Sequence, residues 1–275
     1  MEIKKTLVLY KNRGETPLEC LNRFKIDNPE YKDEKMTYAG RLDPLAEGLL
    51  LVLVGEECKN KEKYLGLDKE YELTVLFGFA TDSFDVLGKV LRSAESSRAF
   101  VRHENFLLKI FSVRRRRDSQ GRSNALLLSA SEVETISQSF VGKFSQKYPS
   151  FSSKTLNGIP LFAHAKSGSL DPDEIPSKDV EIKSIEFVNE SSISKSELDK
   201  FVKESISLVS GDFRQAEILK SWESAFSESK LDNFQTLKIK VSCTSGTYMR
   251  SLANSIGEKV GIPALALNIK RTRIG

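Results

Sequence analysis

The sequence is poor in the residues that bind metals or form disulfides. Its 275 residues include three cysteines and two histidines. Cys20, Cys58 and Cys243 lie too far apart for a disulfide framework or a zinc-binding spacing. His103 and His164 are likewise too far apart to form a histidine motif. We therefore expect neither a metal site nor a fold held together by disulfides.

Long apolar runs are also missing. No segment approaches the roughly 20 apolar residues that span a bilayer, and the apolar part of the first ten residues is too short for a signal peptide. These absences predict a cytoplasmic protein that does not insert into a membrane. The composition, 39% hydrophobic and 29% charged, is typical of an ordinary globular protein with one large domain or two small ones.

The charge is nearly balanced but unevenly distributed. Lysine and arginine number 42 against 38 aspartates and glutamates, a formal charge of +4. Basic residues concentrate between Arg98 and Arg122, where four arginines run from Arg114 to Arg117. Two interpretations stay open: a solvated surface loop, or a segment that binds nucleic-acid phosphates.

Strands and helices interleave along the chain. Alternating apolar residues predict strands at 6–10, 71–77 and 237–243, and residues 16–17 and 194 match helix starts. Because short turns join the strands as often as helices do, the pattern favours an α+β fold around a mixed, mostly antiparallel sheet flanked by helices. The serine-rich pieces at 93–97 and 191–196 are interpreted as surface loops.

The segment "LDPLAEG" places one aspartate before an apolar run. Asp43 fits a helix N-cap, with Pro44 in the first helical position and Gly48 at the helix exit. A cap does not exclude chemistry, because N–H groups that fix a carboxylate also keep it ionised. On the residues alone, the cap is the favoured interpretation and catalysis the alternative.

Two further side chains need partners. Arg250 falls in the first turn of a predicted helix, where a cation is disfavoured unless an acid compensates it. Glu47, Glu258 and Asp43 are the candidate acids. Tyr71 opens a strand on its apolar face and is most simply a core tyrosine whose hydroxyl needs a hydrogen-bond partner.

Six segments follow one another in an order that narrows these alternatives. They are "KNRGETP" (11–17), "YAGRLDPLAEG" (38–48), "DKEYELTVLFGFATDSFDVLGKV" (68–90), "YPSFSSKTLNGIPLFAHAKSG" (148–168), "CTSGTYMRSLANSIGEKVG" (243–261) and "KRTRIG" (270–275). Their order and spacing resemble the motifs of the TruB-type tRNA pseudouridine-55 synthases. Each motif is modest alone, but six in the right order make a specific signal.

The resemblance implies a role for each site residue. Asp43 would be the catalytic carboxylate that acts on the ribose or base of the target uridine, Tyr71 would stack on the flipped base and assist proton transfer, and Arg250 would position Asp43. Residues implied in substrate binding or in the wall of the site are Lys11, Gly14, Tyr38, Arg41 and Tyr248. Candidates for binding the RNA backbone are Arg114, Arg115, Arg116, Arg117, Arg271 and Arg273.

The resemblance also implies an overall function. The chain would be a single pseudouridine synthase domain over 1–275, with insertions at about 93–129 and 191–234 and no C-terminal RNA-binding (PUA) domain. It would be a monomer that isomerises a uridine in the T arm of tRNA without metal or cofactor. Tyr38 stands where the family has histidine. The alternatives are a synthase for another RNA and a non-catalytic tRNA-binding or tRNA-folding protein.

Overall fold

The computed structural model describes residues 3–91, 115–117, 123–126 and 130–275. The described α-helices are α1 (Pro17–Asp27), α2 (Lys61–Leu65), α3 (Ala130–Gln138), α4 (Leu161–Ser167), α5 (Lys195–Ser207), α6 (Gln215–Glu228) and α7 (Met249–Val260). The described strands are β1 (Thr6–Lys11), β2 (Met36–Ala39), β3 (Glu47–Val54), β4 (Lys69–Phe77), β5 (Arg115–Arg117), β6 (Ser123–Leu126), β7 (Gly142–Lys147), β8 (Thr155–Leu156), β9 (Ile159–Pro160), β10 (Ser177–Ser194), β11 (Asn233–Cys243) and β12 (Ala264–Ile274).

Eight of these strands form one sheet. Its order is β1-β3-β12-β4-β11-β10-β7, and β2 pairs with β3 beside this path. All the pairings are antiparallel except that of β12 with β3. The predicted α+β class and the mixed, mostly antiparallel sheet are therefore confirmed. Strands β5 and β6, and β8 and β9, form two small separate ribbons.

The central strands contribute to apolar clusters on both faces of the sheet. On one face, Leu73 of β4 packs in a cluster with Leu252 and Ile256 of α7. On the other face, Leu76 packs in a cluster with Trp222 of α6 and with residues of α5. The alternation of side chains along β4 produces both clusters, because successive residues of a strand point to opposite faces. The helices α5 and α6, which match no motif of the resemblance, thus cover one face of the core sheet.

Helix starts agree with the capping signals in the sequence. Thr16 accepts a hydrogen bond from the N–H of Glu19, and Glu19 accepts one from the N–H of Thr16, so α1 begins with a capping box. Ser194 and Glu197 form the same arrangement before α5. Each box satisfies two N–H groups that would otherwise lack partners at the helix start.

Three local predictions are wrong. Residues 191–194 do not form a loop. They are the end of β10 and pair with 233–236 of β11, whose backbone supplies hydrogen-bond partners for their backbone groups. The spacing of Leu18, Leu21 and Phe24 predicts one apolar face of α1, but Leu18 is 62% exposed. The segment 81–90 predicts a turn followed by a strand, but that strand is reduced to a single bridge between Thr81 and Val90.

Candidate active site

Asp43 lies in a tight turn between β2 and β3. The N–H of Ala46 donates to the carbonyl of Asp43 at 3.0 Å, which closes a β-turn over residues 43–46. The predicted helix cap is therefore wrong. Aspartate in the first position and proline in the second are also the signature of a β-turn, and β3 begins at Glu47, which leaves no room for a helix.

Lys11 and Gly14 hold this turn from behind. The ammonium of Lys11 donates to the carbonyls of Ala46 at 2.6 Å, Pro44 at 3.1 Å and Asn12 at 3.0 Å. The N–H of Gly14 donates to the same Pro44 carbonyl at 2.8 Å. Burial lowers the pKa of Lys11 to about 8, since desolvation penalises its charged form. Neither residue is part of the cavity lining, so their position fits support of the wall, not substrate contact.

Arg250 binds the carboxylate of Asp43 with two parallel hydrogen bonds. Its Nε lies 2.8 Å from Oδ2 and its Nη2 lies 3.1 Å from Oδ1. This forked geometry fixes the plane of the carboxylate as well as its position. The two competing acids are engaged elsewhere, because Glu47 accepts from the Tyr10 hydroxyl and Glu258 accepts from Asn254.

The remaining N–H groups of Arg250 contact two other loops. Nη1 donates to the carbonyl of Ser83 at 2.8 Å, and Nη2 also donates to the carbonyl of Phe151 at 3.1 Å. Arg250 is 3% exposed. Burial acts to lower its pKa, but the carboxylates of Asp43 and Asp85 outweigh burial and the pKa of Arg250 is raised. The guanidinium therefore stays charged and fixed between three loops.

Asp85 supplies a second carboxylate beside Arg250. Its Oδ2 lies 3.7 Å from the arginine Nε. Its Oδ1 accepts from the Ser83 hydroxyl at 2.6 Å and from the N–H of Leu87 at 3.0 Å. Burial raises the pKa of Asp85, while the Arg250 charge opposes that rise. The family resemblance implies only that the strand ends near Asp82 and Asp85 shape a turn beside the site, and the proximity of Asp85 to Arg250 depends on the tertiary fold.

Tyr71 projects from β4 toward the same cavity. The side chain is buried, with 9% of the residue exposed, and it belongs both to the core cluster and to the cavity lining. Burial raises the pKa of Tyr71 above 10. The phenol therefore keeps its proton near neutral pH and can donate a hydrogen bond into the cavity. Tyr71 is therefore both a core residue and part of the cavity wall.

Arg271 is buried in the wall of the cavity. It is 1% exposed, and its guanidinium donates to the carbonyls of Leu49, Arg41 and Gly40. These carbonyls engage the guanidinium of Arg271, and its predicted contact with the RNA backbone stays a prediction. Arg273 is half exposed and pairs with Glu70 at 2.8 Å.

Gly48 is required where β12 passes β3. A Cβ on Gly48 would lie 2.2 Å from the carbonyl oxygen of Arg271, and its φ is +110°. Only glycine fits such an approach at such a φ. The predicted role of Gly48 as a helix exit is thus replaced by a strand position that allows two backbones to meet.

A cavity of about 670 Å³ opens above Asp43. Tyr38, Arg41, Tyr71 and Tyr248 line it together with Asp43. The Arg41 guanidinium lies 5.9 Å from the Tyr38 ring centroid, and burial raises the pKa of Tyr248 to about 12. The structure thus brings these predicted site residues to one cavity with Arg250 at its floor.

The arginine run is described only in part. Arg114 lies outside the described residues, and the backbone of Arg115, Arg116 and Arg117 forms β5, which pairs with β6. Their contact with RNA stays a prediction. Within the described part of the chain, no group of three metal-binding side chains comes together, and no helix is long and apolar enough to cross a membrane.

Comparisons with known proteins point to one family. Residues 29–113 match the family described as TruB family pseudouridylate synthase (N terminal domain). The tRNA pseudouridine synthase B of Shouchella clausii is 26% identical over 275 residues, which is 100% of this chain and 68% of that protein. The enzyme of the same name from Lactobacillus acidophilus is 28% identical, over 96% of this chain and 66% of that protein.

The fold has relatives among solved structures as well. A chain in the crystal structure of a Cbf5-Nop10-Gar1 complex superposes with a TM-score of 0.52 and 16% identity, over 98% of this chain and 48% of that one. The present chain thus spans about two thirds of its curated relatives and about half of the solved chain. At this identity, the structural match supports the fold alone.

Proposed function

We propose that the chain is a member of the TruB family of pseudouridylate synthases and that it converts a uridine of tRNA into pseudouridine, with Asp43 as the catalytic carboxylate. The observation that carries the assignment of Asp43 is its forked pairing with the buried Arg250 at the floor of the cavity. The Asp43 side chain is 37% exposed while that of Arg250 is 4% exposed. The carboxylate is therefore held rigidly and still reaches the cavity.

The reaction suits a site built in this way. The bond between N1 and C1′ breaks, the uracil turns, and a bond between C5 and C1′ forms, while a proton leaves C5 and a proton is gained at N1. Atoms and electrons balance within the substrate. A positioned carboxylate can act on the ribose or the base as nucleophile or base, and the protonated Tyr71 can stack on the base and assist the proton transfer.

For Asp43 to reach the target uridine, the nucleotide must leave its stacked position in the RNA. Extruding a nucleotide from a folded RNA costs a few kcal/mol, which stacking on aromatic side chains partly repays. The cavity offers Tyr38, Tyr71 and Tyr248 for such contacts. The tyrosine at position 38 can stack on the base but lacks the imidazole of the family's histidine. Substitution of the family histidine therefore bears on how tightly RNA is held more than on the reaction.

The names of the relatives support tRNA as substrate, and the family resemblance implies the uridine at position 55 in the T loop. We also propose that one catalytic domain is built on the eight-stranded sheet, with α5 and α6 inserted between β10 and β11. The monomeric state and the cellular location stay predictions from the sequence.

The decisive experiment maps pseudouridine in a tRNA transcript incubated with the wild type and with Asp43→Asn. We expect modification of the T loop by the wild type and none by the variant. Asp33→Asn is the matched control, because Asp33 is exposed and is not part of the cavity lining. A thermal melt of each variant excludes a loss of folding as the cause.

The other outcomes discriminate between the alternatives. Equal activity of the wild type and Asp43→Asn would refute the catalytic assignment. An inactive wild type that still binds tRNA would favour a non-catalytic tRNA-binding protein. Modification of a ribosomal RNA transcript in place of tRNA would refute the assignment of tRNA as the substrate.

A further inference from the structure

The helical segment between β10 and β11 sends one arginine to the active site. Arg214 is the residue before α6. Its Nη1 donates to Oδ2 of Asp82 at 2.8 Å and its Nη2 donates to Oδ1 at 3.2 Å. The same guanidinium lies 4.0 Å from the centroid of the Phe151 ring. One side chain from α5–α6 therefore holds two loops of the catalytic core, and it lines the cavity.

Both loops hold Arg250 as well. Asp82 precedes Ser83, whose carbonyl accepts from Nη1 of Arg250 at 2.8 Å. Phe151 contacts Arg214 with its ring and accepts from Nη2 of Arg250 with its carbonyl at 3.1 Å. Arg214 thus contacts the two segments whose carbonyls accept hydrogen bonds from Arg250. Its link to Asp43 runs through these segments and Arg250.

The backbone is strained at Arg214 and at Phe84, two residues after Asp82. Arg214 has φ 63° and ψ 30°, a left-handed conformation that is unfavourable for a side chain with a Cβ. Phe84, between Ser83 and Asp85, has φ 63° as well. Such conformations persist only where the surroundings hold them, and they concentrate at functional sites. A glycine at 214 would remove this strain.

A second contact ties α6 to the same loop. The indole N–H of Trp222 donates to the carbonyl of Val86 at 3.2 Å, and Trp222 is 1% exposed. The helix is therefore rigidly placed with respect to the loop that carries Ser83 and Asp85. This placement gives Arg214 a fixed base from which to hold Asp82.

We propose that Arg214 is a positioning residue for the reaction: it holds the loops of Asp82 and Phe151 so that Arg250 presents Asp43 in a single orientation. This inference rests on the proposed function. The competing role, direct binding of an RNA phosphate, is disfavoured because both terminal nitrogens of Arg214 already pair with the Asp82 carboxylate and the side chain is 13% exposed.

The variant Arg214→Gly tests this role with little risk to folding. Glycine relieves the left-handed backbone, which offsets part of the stability lost with the Asp82 ion pair, so we expect a melting temperature within about 5 °C of the wild type. Single-turnover modification of a tRNA transcript by excess enzyme should slow about tenfold to 100-fold, since small displacements of a catalytic group have effects of that size. The dissociation constant for tRNA should stay within about twofold of the wild type, because the interaction lost acts only on the chemical step.

Three further variants complete the design. Glu217→Gln is the matched control: it breaks the ion pair of Glu217 with Lys89, which links α6 to the same loop on the exposed side, and it should leave the rate unchanged. Asp82→Asn combined with Arg214→Gly should be no slower than the slower single variant, because the two side chains act as one unit. Arg214→Lys keeps the charge but loses the paired hydrogen bonds to Asp82 and the planar guanidinium that lies against the Phe151 ring. Its rate should fall between those of Arg214→Gly and the wild type.

Each remaining outcome has a definite meaning. A wild-type rate in Arg214→Gly, or strictly additive effects in the double variant, would overturn the inference while leaving the proposed function intact. A variant with weakened tRNA binding and a normal rate at saturation would assign Arg214 to RNA binding and also overturn it. A wild type that modifies no RNA would refute the proposed function and, with it, this inference.

Discussion

Replacing Lys11 with methionine removes a buried positive charge while keeping a side chain of similar length. Lys11 is fully buried, and three backbone carbonyls surround its ammonium. Desolvation lowers its pKa from 10.5 to about 8, against the weaker opposing effect of nearby acids that include Glu15 and Asp43. The protonated form is therefore less favourable in the folded chain than in the unfolded chain.

The size and sign of the effect follow from these two pKa values. Between about pH 8 and pH 10.5, the unfolded chain keeps the Lys11 proton while the folded chain releases it. Because the unfolded state then binds more protons, the free energy of unfolding rises with pH across this window. At about 1.4 kcal/mol per pKa unit, the full rise is about 3 kcal/mol. Lys11→Met lacks this contribution at every pH.

The measurement is urea unfolding of the wild type and Lys11→Met at intervals from about pH 7 to pH 10.5. Other groups that titrate in this range, such as Lys69, whose pKa burial also lowers to about 8, are present in both proteins and cancel in the difference. Lys200→Met is the control, because its side chain is 76% exposed. We expect the wild type to gain stability relative to Lys11→Met as pH rises, and no such trend with the control.

The reasoning would be refuted by parallel stability curves, or by a difference that shrinks as pH rises. Parallel curves would mean that the three carbonyls stabilise the ammonium as well as water does. A shrinking difference would mean that they stabilise it better, which would raise the pKa of Lys11 in the folded chain.

Two further predictions concern the geometry around Asp43. Gly48→Ala should cost at least about 3 kcal/mol of unfolding free energy, or prevent folding, because the new Cβ would lie 2.2 Å from the Arg271 carbonyl at a φ of +110°; a shift in the urea midpoint of less than about 0.3 M would contradict this. Arg250→Lys should lose about 2 kcal/mol of stability and most single-turnover activity, because an ammonium cannot make the fork to Asp43 while also satisfying the two carbonyls. Near wild-type rates in that variant would show that the charge alone suffices.

Much of the fold follows from local patterns. The alternation of apolar residues in β4 and β11 and the capping boxes before α1 and α5 predicted these elements, because each depends on residues within a few positions of one another. Prediction from local patterns fails where one motif is compatible with two structures. An aspartate followed by proline begins a helix or a β-turn equally well, and only the immediate start of β3 selects the turn at Asp43.

The site shows the same division. Family motifs pointed to Asp43, Tyr71 and Arg250, and the structure places all three at one cavity. Burial of Arg271 was not predictable, because an arginine near a chain end is usually exposed. Asp85 and Arg214 were missed as parts of the site, since neither the acid in a turn nor the arginine in an unmatched segment carries a local signal of its partner.

By itself, the sequence predicted several of the strands and helices, and its motifs resemble those of the TruB-type pseudouridine synthases. Only the tertiary structure decided which acid pairs with Arg250 and which side chain holds the loops around it. Asp43 and Arg250 are 207 positions apart, and Arg214 and Asp82 are 132 apart. Such pairs form because sheet register and helix packing bring distant segments together, and periodicity along the chain carries no record of that register.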